Sequence, residues 1–388
     1  MSKTLILDNG AYTIKAGYAH SDDHASVFPN CVSKGKVDKR TFVADELSQC
    51  RDFSGMYFKY AFDKGYLTNW ELEREVWESV FRSLRCDPTQ TTLLLTEPCF
   101  NLPNIQQTYD EIVFEEFEFS SYRRSTAPSL SSYYTNDPPP VTMVPECALV
   151  VDSGYSFTHV VPVLRRKPIW KSVKRITVGG KLLTNHLKEI VSFRQWNMMD
   201  ETYVMNEVKE TCCYVSQSFD EDMLTSRKPA RDNPIVQEYV LPDFSMKKEG
   251  RVRKADDQTS EDDQILVMNN ERFTVPETLF HPSDIGVDQA GLPEAIVQAI
   301  DTCDPDLQGM FYSNIILTGG NARFPGFKER LYGELRKLAP TSYDINITLP
   351  TDPTTCAFEG GRTWVKGDPD GFRRACVTRA QYLEHGSD

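Results

Sequence analysis

Two short stretches share one pattern, and together they limit what this chain can become. In residues 148–163 an apolar run enters Asp152-Ser153-Gly154, and a second β-rich run, 157–163, leaves it. Near the start, residues 4–7 lead into Asp8-Asn9-Gly10 and then into 13–18. Strand, Asp-x-Gly, strand reads as a tight hairpin in which Gly154 or Gly10 can take a positive φ. Singly, each is ordinary turn chemistry. Paired, one heading each half of the chain, they point to an internally duplicated fold whose hairpins face each other across a cleft.

With 388 residues there is room for two domains or one bilobed unit, and 40% hydrophobic content is enough for a sizeable core. A net charge of −13 argues against a protein that coats nucleic acid by charge alone, and it permits basic partners. The ten cysteines show no C-x-x-C spacing, which removes the usual thiolate metal site and makes a disulfide framework a poor expectation; a reduced, intracellular protein is expected. Residues 1–6 run almost directly into a strand, so no secretory leader is expected, and no apolar run reaches the roughly 18 residues of a membrane helix. The cytosol or nucleus is the expected compartment.

Along the chain, residues 21–62 read as polar and irregular. His20-Ser-Asp-Asp-His24 offers either a metal site or a solvated turn, and the turn is favoured because no thiolate or ordered ligand spacing accompanies it. Thr68-x-x-Glu71 resembles a capping box ahead of a helix whose stripe is Val76, Trp77, Val80, Phe81 and Leu84. Residues 91–96 (TTLLLT) read as a buried strand, and Ile105, Tyr109, Ile112 and Val113 mark the next helix. The run 137–140 (DPPP) is the expected lobe boundary. In the second half, a strand at 175–178 ends in Gly179-Gly180 and leads to a helix with stripe Leu183, Leu187, Ile190, Val191, and helix is expected to run through 208–215. Residues 245–264 hold a basic block followed by an acidic one, and are expected to be an exposed insertion. A last strand stops at Gly319-Gly320, with Pro325 opening a helix. Two strand–Gly-Gly–helix turns beside two aspartyl hairpins suggest a nucleotide cleft, since such turns bring backbone N–H groups to a phosphate or nucleoside.

At this point the runs LDNGAYTIKAGYA, GYLTNW, LLTEP, VVDSGYSFTHVVP, VKETCCYVSQSFDEDM, NNERFTVPETLFHPS and NIILTGGNARFPGFKERL resemble the actin superfamily, in order and over nearly the whole chain. The resemblance implies an α/β, bilobed fold of four subdomains around a nucleotide cleft, shared with sugar kinases and heat-shock ATPases. In it residues 1–143 and 355–388 would form the first lobe, with 29–65 its outer subdomain. Residues 144–354 would form the second, with 180–287 its outer subdomain. The resemblance assigns Asp8, Gly10 and Lys15 to the first phosphate hairpin, and Asp152 and Gly154 to the second, where the aspartate holds Mg²⁺ through water. It assigns Lys209 and Glu210 to the nucleoside, Gly319 and Gly320 to the turn beneath it, and His159 either to the attacking water or to packing below the cleft.

The departures gather on the chemistry. Ala11 stands where actin has a phosphate-binding serine, and Tyr12 where it has a glycine. Tyr155-Ser156 replace Asp-Gly, Ala127 stands for the water-positioning glutamine, and Thr354 for a lysine that packs on adenine. Together they imply that hydrolysis is lost; ATP or ADP bound without turnover remains open, and the Tyr12 and Tyr155 rings are expected to fill part of the triphosphate space. The early segment lacks actin's glycine-rich, Met-containing loop, so a filament former is not expected. The runs DSGYSFTH and VGGKLLTNHLKEI look most like the sixth actin-related subfamily. That resemblance implies a non-catalytic nuclear subunit of the chromatin remodeller that exchanges a core histone for its Z-type variant. Its expected partners are a motor subunit, a small zinc-binding subunit, the nucleosome indirectly, and DNA as a further candidate. The alternatives are an active ATPase of the same fold and a cytoskeletal actin-like protein.

Overall fold

The computed structural model describes residues 3–35, 39–50, 53, 56–134, 147–243, 250–254, 257 and 263–386. β1 (Lys3–Asn9) and β2 (Thr13–Tyr18) form the first hairpin, and β3 (Ser26–Pro29) adds to its edge. β4 (Val32–Gly35), β5 (Thr41–Val43) and β6 (Met56–Lys59) make a small sheet of their own, followed by the β7 (Phe62–Asp63) and β8 (Tyr66–Leu67) ladder. α1 (Trp70–Ser83), β9 (Thr91–Glu97), α2 (Pro103–Glu111), β10 (Ser121–Thr126) and α3 (Ala127–Ser131) complete the first half.

The second half begins with the hairpin of β11 (Cys147–Ser153) and β12 (Thr158–Leu164), extended by β13 (Lys167–Pro168) and β14 (Lys174–Ile176). α4 (Gly180–Arg194), α5 (Thr202–Cys212) and α6 (Phe219–Ser226) precede a three-stranded outer sheet of β15 (Gln237–Val240), β16 (Arg251–Val252) and β17 (Ile265–Met268). α7 (Glu271–Glu277), α8 (Leu292–Asp301), α9 (Pro305–Tyr312), β18 (Ile315–Thr318), α10 (Phe327–Leu338) and β19 (Ile347–Thr348) follow. α11 (Cys356–Gly367), α12 (Pro369–Ala375), β20 (Val377–Thr378) and α13 (Arg379–His385) return to the first lobe, where β20 pairs with β10 and Phe358 packs with Ile6 and Leu94.

The two halves repeat one plan. In the first sheet the order is β20-β10-β9-β1-β2-β3, with β1, β9 and β10 parallel and β2 antiparallel to β1. In the second it is β13-β12-β11-β18-β19, again a hairpin whose first strand is followed outward by two parallel strands, β18 on β11 and β19 on β18. The central parallel strands β1, β9 and β18 are buried on both faces, and β9 is buried from Thr91 through Thr96. Each sheet has its own core, one around Trp77 and Phe114 and one around Leu183, Phe280 and Leu331.

Several local expectations give way. Residues 21–62 are not irregular: strands β3 to β6 lie there over a small core of Cys31, Phe42, Leu47 and Met56. Thr68 does not cap α1; Asn69 does, its side chain accepting from Leu72 N at 3.1 Å, while the Thr68 hydroxyl donates to Ala61 O. The helix expected through 208–215 stops at Cys212, because Tyr214 N and Val215 N donate to Arg272 O and Pro325 O instead. α10 opens at Phe327 behind Gly326 (φ +82), not at Pro325. Within the expected insertion, Arg251 and Val252 pair with Val240 and Tyr239 as an edge strand; 245–249, 255–256 and 258–262, like the boundary run 137–140, lie outside the described residues. The opposite edge of that sheet is closed by side chains. Gln195 Nε2 donates to Val267 O and Gln195 Oε1 accepts from Val267 N, at 2.9 and 2.8 Å, while Trp196 Nε1 donates to Ile265 O. Among the described residues no helix is long and apolar enough to cross a membrane.

Candidate functional site

The two hairpins meet at a cavity of about 500 Å³. The first closes at Asn9 opposite Ile14, which leaves residues 10–13 as its loop; the second closes at Ser153 opposite Thr158, leaving 154–157. These are four-residue loops, so the φ > 0 demanded by two-residue turns does not arise, and neither Gly10 nor Gly154 lies in the left-handed region. Gly10 is required for another reason: a Cβ there would stand 2.6 Å from Thr13 O. The glycine that does need its freedom is Gly319, at φ +89, where a Cβ would meet Ser153 O at 2.2 Å.

The floor of the cavity is acidic. Thr96 Oγ1 donates to Asp8 Oδ1 at 2.9 Å and accepts from Asn9 N at 2.7 Å, and Lys15 Nζ lies 3.8 Å from Asp8 Oδ2. Burial, with the charge of Asp8 added, pushes the Asp152 carboxyl up to about 6, against the pull of Lys15. His159 faces Asp152 across the ladder; burial, then the Arg175 charge, lowers it to about 4, so its ring is neutral at physiological pH. Among the described residues no group of three or more His, Cys, Asp or Glu gathers as a metal site, and His20 and His24 belong to none.

The groups expected to meet a nucleotide are largely turned to the chain itself. The α4 N–H groups after Gly179 donate to the second hairpin: Gly180 N to Gly154 O at 3.0 Å and Lys181 N to Tyr155 O at 2.9 Å. They are therefore not available to phosphate or nucleoside, contrary to the expectation for Gly179-Gly180. Lys209 and Glu210 line the cavity, yet the Lys209 ammonium is saturated by Asn206 Oδ1 (2.8 Å), Thr184 Oγ1 (3.0 Å) and Gly180 O (3.3 Å). Thr354 binds Asp352 Oδ1 through both its N–H and its hydroxyl. Ala127 presents a methyl to the cavity, and the hydroxyl of the preceding Thr126 is held by Ser129 at 2.7 Å. Gly320 lies open beside Asn321, whose amide ties Ser153 Oγ and Gly154 O.

Across the mouth of the cleft the lobes touch through aromatic rings. Tyr12 stacks on Tyr155 with centroids 4.9 Å apart and 22° between planes. Tyr60 joins them at 6.2 Å from Tyr12 and 5.7 Å from Tyr155. Asn206 Nδ2 donates to the Tyr12 hydroxyl from the second lobe. Farther out, Phe53 and Phe58 stack on Tyr203 at 4.4 and 5.7 Å. Phe157 packs on Gly65, which at φ +79 has no room for a Cβ. Burial raises the phenol of Tyr155 to about 12 and those of Tyr12 and Tyr60 further, which keeps all three neutral. Tyr60, Tyr203, Asn206 and Asn321 were not singled out from sequence; none lies in a recognisable turn or period, and only the chain's return from elsewhere brings them here.

The residues present offer a Mg–triphosphate few side-chain partners: Lys15 is turned to Asp8 and to Thr13 O, Ala11 offers no hydroxyl, and the stacked Tyr12 and Tyr155 rings line the cavity between the hairpins.

A family model described as Actin matches residues 1–388. The actin-like protein ARP6 of Cryptococcus neoformans is 44% identical over 408 residues, spanning 99% of this chain and 82% of that protein. Actin-related protein 6 of Oryza sativa subsp. japonica is 41% identical over 418 residues, spanning 100% and 97%. Actin-related protein 6 of Drosophila melanogaster is 38% identical over 389 residues, spanning 98% and 97%.

Proposed function

The chain belongs to the actin family, and within it we propose a non-catalytic subunit of a nuclear chromatin-remodelling assembly that exchanges a core histone for its Z-type variant. The observation that carries the non-catalytic part is the Tyr12–Tyr60–Tyr155 stack, which joins the lobes where the family opens for a triphosphate. The saturated Lys209 and the methyl of Ala127 support it: a fixed water and a free cation are what positioning and charge stabilisation require. In this reading ATP is hydrolysed by a separate motor subunit. The present chain contributes a rigid bilobed surface to that motor, to a small zinc-binding subunit, and through them to the nucleosome, with DNA a further candidate contact. The nuclear setting and the exchange role rest on the likeness to proteins named actin-related protein 6 and on the motifs of that subfamily.

Native purification from nuclear extract, with identification of the co-purifying chains, tests the assembly; recovery of histone-exchange subunits is expected, and recovery of cytoskeletal proteins alone would overturn it. ATP turnover by the isolated protein is expected to equal that of an Asp152→Ala control at saturating nucleotide. Turnover clearly above the control would restore the ATPase reading.

A further inference from the structure

One edge of the first sheet is left half covered. The inner edge of β10 pairs with β9 along its whole length, from Ser121 opposite Thr92 to Thr126 opposite Glu97. Its outer edge is covered by β20 only at Ser121 and Tyr122. Beyond that point residues 123–126 have no strand partner on the outer side among the described residues. Four residues of open edge span about 13 Å, and an open edge is a template for another chain.

A second cavity, of about 550 Å³, lies along this edge, bordered by the α12–β20 turn and by α13. Its walls are set for an anion. Arg374 is exposed and has no ion-pair partner among the described residues. Arg123 gives one N–H to Ala375 O at 3.3 Å and keeps the rest of its fork. Arg124 is neutralised by Asp110 at 2.6 Å, and Glu97, which accepts from the amides of Asn101 and Gln106, offsets a second arginine, so one arginine charge stands in surplus on a chain of net charge −13. The Tyr122 ring forms part of the wall; that residue is 3% exposed and its hydroxyl has no hydrogen-bond partner.

We propose that this slot takes an extended acidic segment of a partner polypeptide, which adds as a strand to the open edge of β10, in line with β20, and turns its carboxylates to Arg123 and Arg374. Main-chain bonds to the edge supply affinity and the arginine forks supply selectivity. The slot lies on the first lobe and shares only Glu97 with the lining of the cleft.

The test uses the full chain and three labelled heptapeptides, followed by fluorescence polarisation. One alternates glutamate and valine, one alternates lysine and valine, and one is the glutamate peptide N-methylated on every amide so that neither of its edges can form a ladder. The glutamate peptide is expected to bind and to slow hydrogen exchange at residues 123–125. The other two are expected to bind at least about tenfold more weakly, the loss of a charged or main-chain set of hydrogen bonds. Reversing Arg123→Glu and Arg374→Glu, both on the surface, is expected to exchange the preference from the glutamate to the lysine peptide. Equal binding of both charges, equal binding of the methylated peptide, unchanged exchange at 123–125, or no binding at millimolar peptide would each overturn the proposal.

Discussion

Glu73 has no exposed surface and lies beneath the first hairpin. Its Oε1 accepts from Asn9 Nδ2 at 2.6 Å, from Trp77 Nε1 at 3.1 Å and from Asn30 Nδ2 at 3.4 Å, while its Oε2 and Asn30 Oδ1 both lack partners. Burial outweighs the three donors and pushes the carboxyl up to about 7, from an ordinary 4.5. The folded state therefore holds a proton that the unfolded chain releases. The stabilisation is fully present below pH 4.5, falls as pH rises toward 7, and is lost above it. Glu73→Gln keeps the acceptor and supplies a fixed N–H, so it mimics the protonated acid. Chemical unfolding should find the variant equal to the parent near pH 4 and more stable at pH 8, by roughly 3 kcal/mol at most. A variant less stable than the parent at pH 8 would show that the carboxylate is held ionised.

At the next scale, the turn after β18 depends on one backbone conformation. Gly319→Ala places a methyl against Ser153 O at φ +89 and displaces Asn321, which binds both Ser153 and Gly154. Thermal unfolding should show a loss of roughly 3 kcal/mol or more for Gly319→Ala. Gly320→Ala, with nothing within 4 Å, should change stability by about 0.5 kcal/mol or less. The Gly319-Gly320 turn was legible in the sequence, while its dependence on Ser153 was not, because that contact joins residues far apart in the chain. The strand at 91–96 and the stripes of α1 and α4 were legible because each offers many buried side chains in one period: Val76, Trp77, Val80 and Phe81, or Leu183, Leu187 and Val191. β5 buries only Phe42, and β4 only Ser33, too little for a period to register. The aspartyl hairpins were legible as local turns, while their loop geometry was not. The donation of the α4 amides to Gly154 and Tyr155 could not be read either, because it joins groups far apart in sequence by way of the fold. Tyr12 and Tyr155 were found because they replace a glycine and an aspartate of the actin pattern beside the hairpin aspartates, and Tyr60, which follows the end of β6, had no such marker.

Over the whole molecule, the rings bring the two lobes into direct contact across the cleft. Tyr12 with Tyr155 buries aromatic surface worth on the order of 2–4 kcal/mol, and Tyr203 adds a second clasp with Phe53 and Phe58 farther out. Stabilisation that a bound nucleotide would give by linkage is thus partly supplied by the chain. Thermal unfolding with and without millimolar Mg-ATP should show little change in Tm for the parent. Tyr12→Gly combined with Tyr155→Asp should unfold at lower temperature and gain more from the nucleotide. A rise of many degrees for the parent would mean that the rings part to admit the triphosphate. A different economy of contacts protects the molecule from its own copies. β17 could serve as a nucleus for cross-β stacking, since Val267 is 44% exposed beside the otherwise bare main chain of a sheet edge. The Gln195 amide occupies the N–H and C=O of Val267 as a neighbouring strand would, and the Trp196 indole takes the next carbonyl, at Ile265. Two side chains thereby cap the pairing groups of that edge without adding a charge to it, as protection against edge-to-edge pairing requires.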